Sequence, residues 1–381
     1  QNTGIACAKC ELGTRPGKNG ACEECGAFEY FPVVAISCAA VLALCALYYC
    51  VHRESRAKQA RSTLLLTLLN SQLWTLFQQI GVLTTIAVVW PEPLRSMMKL
   101  VSVLNFSFDV LYIDCLPRST PVARFGFRVF LVLGLFVMLA TIHSLATLLF
   151  FRGEFRAHMS TLFGSIGAIF MCFMVPITAS LVSPFQCVGH PNGQWTVRVY
   201  PNVVCWIGEA DSMHYQLCVI SALACTLPLG FLTVAAMAVR NLPKKMKEGD
   251  TGFLRTFAFL FFRFRLECHW FVLAFLVRNL AVAFIPVLPE VSAQTVLMMI
   301  VLLVSVVTTA YYSPWRLPVA NHLDVFASMS VIALLHFAAL FTTGADPDLL
   351  AAVAVALLIS IVAVFMALVP HAMWQRFAPR G

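Results

Sequence analysis

Charge is what this chain has least of. Only 12% of its 381 residues are Asp, Glu, Lys or Arg, against 60% hydrophobic. A soluble domain carries about 25% charged residues, so this chain cannot cover itself with polar surface. A water-soluble fold is excluded and an integral membrane protein is expected. Lysine is missing from every long apolar run: the seven lysines are Lys9, Lys18, Lys58, Lys99, Lys244, Lys245 and Lys247. That excludes a retinal Schiff base inside a helical bundle. There is no H-E-x-x-H for an intramembrane zinc protease, no G-x-S-x-G for a serine hydrolase and no Walker motif. No apolar span carries arginines at three-residue intervals, as in a voltage sensor, and no TVGYG-type filter occurs. No enzyme activity and no cofactor are expected.

What is present is a series of apolar runs. With about 20 residues needed per crossing, nine spans are expected, at 31–51, 64–89, 129–151, 160–182, 213–239, 268–288, 292–312, 322–343 and 349–369. The fold class is all-α, a polytopic transmembrane helical bundle of about nine spans. A small disulfide-rich extracellular module over 1–30 precedes the bundle, 31–369, and a cytoplasmic tail over 370–381 follows it. The chain opens on Gln1 rather than Met, as expected of part of a longer or processed chain.

The net charge of +8 does not signal nucleic acid, because the basic residues sit in short blocks between apolar runs. Blocks of that kind orient a membrane protein. With the N-terminus outside, segments 52–62, 152–158, 240–266, 313–321 and the tail are cytoplasmic and hold 16 Lys and Arg, against nine outside. The expected arrangement is N-terminus out and C-terminus in, most simply in the plasma membrane. Membrane lipids are the expected partners, with ions and extracellular or membrane proteins as further expectations.

Cysteine follows this topology. "CAKC" and "CEEC" place Cys7, Cys10, Cys22 and Cys25 in the first 25 residues. Two C-x-x-C pairs eleven residues apart suit either a zinc ribbon or a disulfide-stapled module. An outside location favours disulfides. The loop "SPFQCVGHPNGQWTVRVYPNVVCW" sets a turn, "HPNG", and a β-prone "QWTVRVY" between Cys187 and Cys205. A Cys187–Cys205 bridge closing a small hairpin is expected.

Two segments fit no span. Residues 90–128 are broken by proline and carry Asp109 and Asp114, which suggests an interfacial or re-entrant piece on the outer side. Residues 253–266, within "TGFLRTFAFLFFRFRLE", interleave aromatics with Arg255, Arg263 and Arg265. They read as an interfacial helix with its arginines toward anionic headgroups.

The sharpest anomaly is Arg278, followed by Asn279, in the middle of "FVLAFLVRNLAVAFIPVL". Arginine at mid-bilayer costs roughly 2.5–3.5 kcal/mol on insertion scales. It is tolerable only facing inward with polar company. Candidate partners are Asp324, Asp109 and the amides of the second span, Asn70, Gln72, Gln78 and Gln79. The network serves either a hydrophilic, gating pathway or a buried staple fixing helix register. Pro176 and Pro228 add kinks. His143 and His336 lie inside spans; helix-to-helix hydrogen bonding accounts for them better than a haem does.

Several stretches together resemble a known architecture. "CAKCELGTRPGKNGACEECGAFEY" resembles the end of an ephrin-receptor-like (GCC2/GCC3) cysteine-rich repeat. "LLLTLLNSQLWTL", "VVWPEPL", "DCLP", "FQCVGHPNGQWTVRVYPNVVCW", "FLFFRFRLECHWFVLAFLVRNL" and "SPWRLPVANHLD" resemble the multi-span C-terminal region of large protist surface proteins carrying such repeats. That region is broadly similar to fungal TRP-like membrane proteins. The resemblance implies a disulfide-bonded outer loop at Cys187 and Cys205, Arg278 as a family feature, and a TRP-like channel or surface sensor. The alternative is a non-transporting anchor or accessory subunit of a larger surface or membrane complex.

Overall fold

Backbone amides have no water to bond in hydrocarbon, so apolar runs satisfy themselves as helices. The computed structural model of the chain describes residues 14–16, 22–24, 30–54, 61–86, 88, 90–103, 120–150, 153–206, 212–341 and 347–377. In chain order the elements are β1 (Thr14–Pro16), β2 (Cys22–Glu24), α1 (Tyr30–Glu54), α2 (Arg61–Leu83), α3 (Leu94–Val103), α4 (Pro121–Phe150) and α5 (Phe155–Leu181). Then come β3 (Cys187–Gly189), β4 (Trp195–Val197), β5 (Tyr200–Val204), α6 (Met213–Ala224), α7 (Thr226–Glu248), α8 (Thr251–Thr256) and α9 (Ala258–Phe261). The last four are α10 (Phe271–Phe284), α11 (Val291–Tyr312), α12 (Pro318–Phe341) and α13 (Pro347–Phe377).

Among the described residues six helical stretches are long and apolar enough to cross a membrane: α4, α5, α6 with α7, α11, α12 and α13. This is a multi-pass membrane protein. The other three expected spans fall on helices of a different kind. The apolar parts of α1 and α10 are shorter, Ser37–His52 and Phe271–Val287. Asn70, Gln72, Gln78 and Gln79 lower the hydropathy of α2.

Burial separates central helices from peripheral ones. The apolar window of α5 is 61% buried within the protein and that of α12 50%, against 17% for α4. Helix α2 packs on α12, α13, α3 and α5, and α5 on α1, α4, α8 and α10. One core joins Leu69, Leu76 and Leu83 of α2 to Val331 and Leu335 of α12 and to Ala354, Leu358, Ile361 and Phe365 of α13. The α13 residues recur at the three- and four-residue steps of one helix face. Its opposite face, with Leu349, Val353 and Ile359 exposed, is left for lipid.

Proline positions are absorbed locally. Pro176 lacks the N–H that Cys172 O would accept in a regular helix, and α5 leaves helical geometry at Phe173. Trp74 Nε1 of α2 donates to that carbonyl at 3.0 Å, and Gln78 Nε2 donates to it as well. Pro228 falls in the first turn of α7, where no intrahelical N–H is required.

Several expectations need correction. The 253–266 segment is not one interfacial helix. It breaks at Phe257 into α8 and α9, and its aromatics pack into the bundle. Phe259 of α9 packs directly over Gly167 of α5, where an added Cβ would lie 2.0 Å from the ring. Helix α3, in the 90–128 segment, buries Leu94 and Met98 against the bundle and exposes Arg95 and Leu100. Helix α4 starts at Pro121 rather than 129, and α13 continues to Phe377, into the expected tail. At the N-terminus β1 and β2 pair antiparallel, with Thr14 opposite Glu24 and Pro16 opposite Cys22.

Candidate functional site

Helices α10 and α12 start at the same end of the bundle, and each carries one charge inward. At about 1.5 Å rise per residue, Arg278 and Asp324 both sit roughly 10 Å inside their helix starts. Arg278 Nη1 donates to Asp324 Oδ1 at 3.2 Å, and both side chains are more than nine-tenths buried. The same nitrogen donates to Ser305 Oγ of α11 at 2.9 Å. The second carboxylate oxygen, Oδ2, accepts from Thr309 Oγ1 at 3.0 Å and from Trp315 Nε1 at 3.2 Å. The guanidinium also lies 4.9 Å from the Phe275 ring centroid. Three helices and one loop therefore converge on one neutralised pair, which is what a charge needs at that depth.

Trp315 is held by backbone pairing. Phe264 and Trp315 form an antiparallel bridge, in which Arg265 N donates to Pro314 O at 2.9 Å and Arg316 N to Arg263 O at 3.0 Å. Asn321 Oδ1 accepts from Trp315 N at 3.0 Å, and Asn321 Nδ2 donates to Trp315 O at 3.2 Å. The Phe264 and Trp315 rings lie 4.9 Å apart. The segment before α10 is thus clasped to the α11–α12 loop, and the clasp roofs the ion pair.

The sequence-derived candidates divide. Asp324 meets Arg278 directly. Asn279 is buried beside it on α10, but its Oδ1 has no partner among the described residues. Gln78 belongs elsewhere, on the Cys172 carbonyl of α5. Asn70 is exposed, and the reason is angular. Eight residues at 3.6 per turn leave about 80° between Asn70 and Gln78, and two residues put Asn70 nearly opposite Gln72. Gln72 faces in and its Nε2 donates to Ala320 O at 2.7 Å, one turn before Asp324. Ser305, Thr309 and Trp315 were not anticipated. The proline-flanked Trp315 in "SPWRLP" was the one available cue.

Of the three headgroup arginines, one departs from expectation. Arg255 is exposed on α8. Arg265 is exposed and pairs with Glu267 at 2.8 Å. Arg263 turns inward to 6% exposure, its guanidinium 5.3 Å from the Phe262 ring. Asp109, Cys7, Cys10 and Cys25 lie outside the described residues, as does the side chain of Cys22.

At the other end Cys187 and Cys205 form the expected disulfide, with Cα atoms 6.4 Å apart. It closes a three-stranded sheet, β3–β4–β5, rather than a two-stranded hairpin. The third strand was hidden by Pro201, which suits only an edge position. The β3–β4 turn closes with Gly193 N donating to His190 O at 2.9 Å, and Gly193 takes a left-handed φ of 78°. Burial pushes the Arg198 guanidinium below its ordinary pKa.

His214 stands with its ring nitrogen and the two bridged sulfurs mutually within 4.8 Å. Trp206 N donates to Nδ1 at 3.2 Å, so the neutral ring carries its proton on Nε2, which faces Pro184 O at 3.3 Å. A protonated nitrogen and two bridged sulfurs are not metal ligands. His214 is a strut between the sheet and α6. His143 bonds Tyr48 of α1 at 2.9 Å, while His336 is exposed on α12, so the two share no site. Comparison with family models, curated sequences and solved structures finds no match for this chain.

Proposed function

We propose that this multi-pass membrane protein is a channel or surface sensor of the TRP-like kind, without enzymatic activity. The proposal includes nine crossings, with α1, α2 and α10 joining the six long apolar stretches. The N-terminus lies outside, the C-terminus in the cytosol, and the membrane is the plasma membrane. The N-terminal cysteines form the end of an ephrin-receptor-like repeat.

One observation carries the reading. Beside the Arg278–Asp324 pair, three buried polar atoms have no partner among the described residues: Arg278 Nε, Asn279 Oδ1 and Gln72 Oε1. Buried polar atoms are nearly always satisfied, and a buried ion pair adds little net stability over apolar packing. A seam between α2, α10 and α12 that keeps such atoms gains from admitting water. Hydration there separates the pair and opens a polar path along it.

The second reading is a non-transporting anchor or accessory subunit of a larger complex. It is favoured by the completeness of the Asp324 shell, where both carboxylate oxygens are taken. Purified chain in planar bilayers decides between them. The channel reading expects a current that Arg278→Ala alters without abolishing expression. Silent bilayers, with Arg278→Ala only lowering yield, support the anchor.

A further inference from the structure

We infer that the groove between the end of α7 and the clasp is a binding site for one anionic diacyl phospholipid. The groove has a volume of about 320 Å³ and is walled by Leu242 and Met246 of α7, Leu254 of α8, and Phe261 and Phe262. Arg265 and Arg316 line it as its charged members. That volume lies at the small end of the roughly 300–1,000 Å³ range of small-ligand sites. It suits part of an acyl chain rather than a folded segment.

Charge identifies the occupant. Arg265 is held by Glu267, whereas Arg316 is exposed and has no carboxylate within ion-pair distance among the described residues. Beside Phe262, Arg263 is over nine-tenths buried; its Nε has no hydrogen-bond partner and it makes no ion pair among the described residues. A buried charge without a counter-charge is costly and calls for an anion nearby. No lysine lines the groove, and Lys245 nearby is already engaged with Glu248 at 3.1 Å and with Asp250 at 3.0 Å. The positive charge in the groove lining is therefore carried by Arg265 and Arg316, beside an apolar slot. A phosphodiester above two acyl chains matches that arrangement, and a zwitterionic headgroup matches it less well. Because Phe264 lines the groove and its ring also packs against Trp315, a seated lipid braces the clasp over the ion pair. The site itself does not depend on whether the chain conducts.

The test is native mass spectrometry of the full chain in detergent, titrated separately with phosphatidylglycerol, phosphatidylcholine and glycerol 3-phosphate. The expected result is one retained phosphatidylglycerol, bound at least tenfold more tightly than phosphatidylcholine, and no glycerol 3-phosphate adduct. Arg265→Gln with Arg316→Gln should reduce the preference fivefold or more, and Ala258→Trp, which fills the slot, should abolish retention. Lys244→Gln with Lys247→Gln should leave the preference intact. Equal retention of the two lipids overturns the assignment, as does an equal loss in the lysine variant. Glycerol 3-phosphate binding as tightly removes the acyl slot from the site. A dimer whose groove residues are covered shows the occupant to be a second copy, and overturns the assignment too. Should the arginine variants fail to fold, the lipid comparison on the parent chain still decides.

Discussion

The two ends of this bundle are closed by different chemistry. At the sheet end a covalent bond, Cys187–Cys205, locks three short strands. At the clasp end one β-bridge and one tryptophan indole lie over a buried ion pair. A covalent closure holds whatever water does. A closure built on buried charge holds only while the charges stay dry, because their attraction depends on low local dielectric. The sheet end is therefore a fixed abutment, and the clasp end is where this fold can give way.

The largest expected effect comes from breaking the pair on one side. Asp324→Ala leaves Arg278 buried beside Ser305 with no counter-charge, a loss of about 3–5 kcal/mol. The double change Arg278→Met with Asp324→Leu should recover most of it, since apolar packing of similar volume replaces a buried pair at little cost. Thermal unfolding in detergent reads both. Equal losses in the single and double variants would show that the two residues do not act as a unit.

Next comes the covalent end. Cys187→Ser opens a loop of sequence separation 18, which chain entropy values at about 3 kcal/mol. The sharpening measurement is hydrogen exchange by region. Reductant should loosen β3–β5 and leave amide protection in α10–α12 near that of the parent. If protection falls at both ends together, the abutment and the clasp form one cooperative unit and the contrast between them dissolves.

How far the sequence foretold this contrast depends on the kind of residue. Arg278 and Asp324 stood out because charge in an apolar run has few explanations. Cys187 and Cys205 stood out because a turn and a β-prone stretch lie between them. Trp315, Ser305 and Thr309 did not, because hydroxyls and an indole are ordinary in membrane helices and only the folded geometry aims them at Asp324. The clasp itself was unreadable, since a backbone bridge between 264 and 315 depends on carbonyl and N–H positions that no side chain announces. The seating of Phe259 over Gly167 of α5 was equally hidden, because it joins residues far apart in the chain. Helix existence was thus legible from apolar runs, whereas the division into central and peripheral helices needed the packing.

A smaller effect separates the amides of α2 from the ion pair. Gln78→Leu removes one of two donors on the Cys172 carbonyl and leaves Trp74 in place. A typical hydrogen bond contributes about 1 kcal/mol net, so the loss should be near that and should add to the loss from Asp324→Ala. Additivity within about 0.5 kcal/mol marks independent sites. A coupling well beyond that would extend the polar seam from the clasp to the kink of α5.

The smallest expected effect lies at the outer edge of the clasp end, where Asp250 caps α8. Its Oδ1 accepts from Phe253 N at 2.9 Å and its Oδ2 meets Lys245 at 3.0 Å. The Phe253 amide first, and the Lys245 ammonium after it, hold the carboxyl below its ordinary pKa. A depressed folded pKa means that the contribution is complete above the unfolded value, about 3.9, and drains away as pH falls through the lower folded value. Because this carboxylate is solvent-exposed, its loss should fray α8 without touching the fold. Asp250→Ala at pH 6 and the parent chain once acidified through the folded value should then show the same faster amide exchange at Phe253 and Leu254, corrected for intrinsic rate. Unchanged protection in Asp250→Ala would mean that the cap contributes nothing. Loosening that spread to Trp315 would move the weak point of the clasp end from its buried charges to its surface.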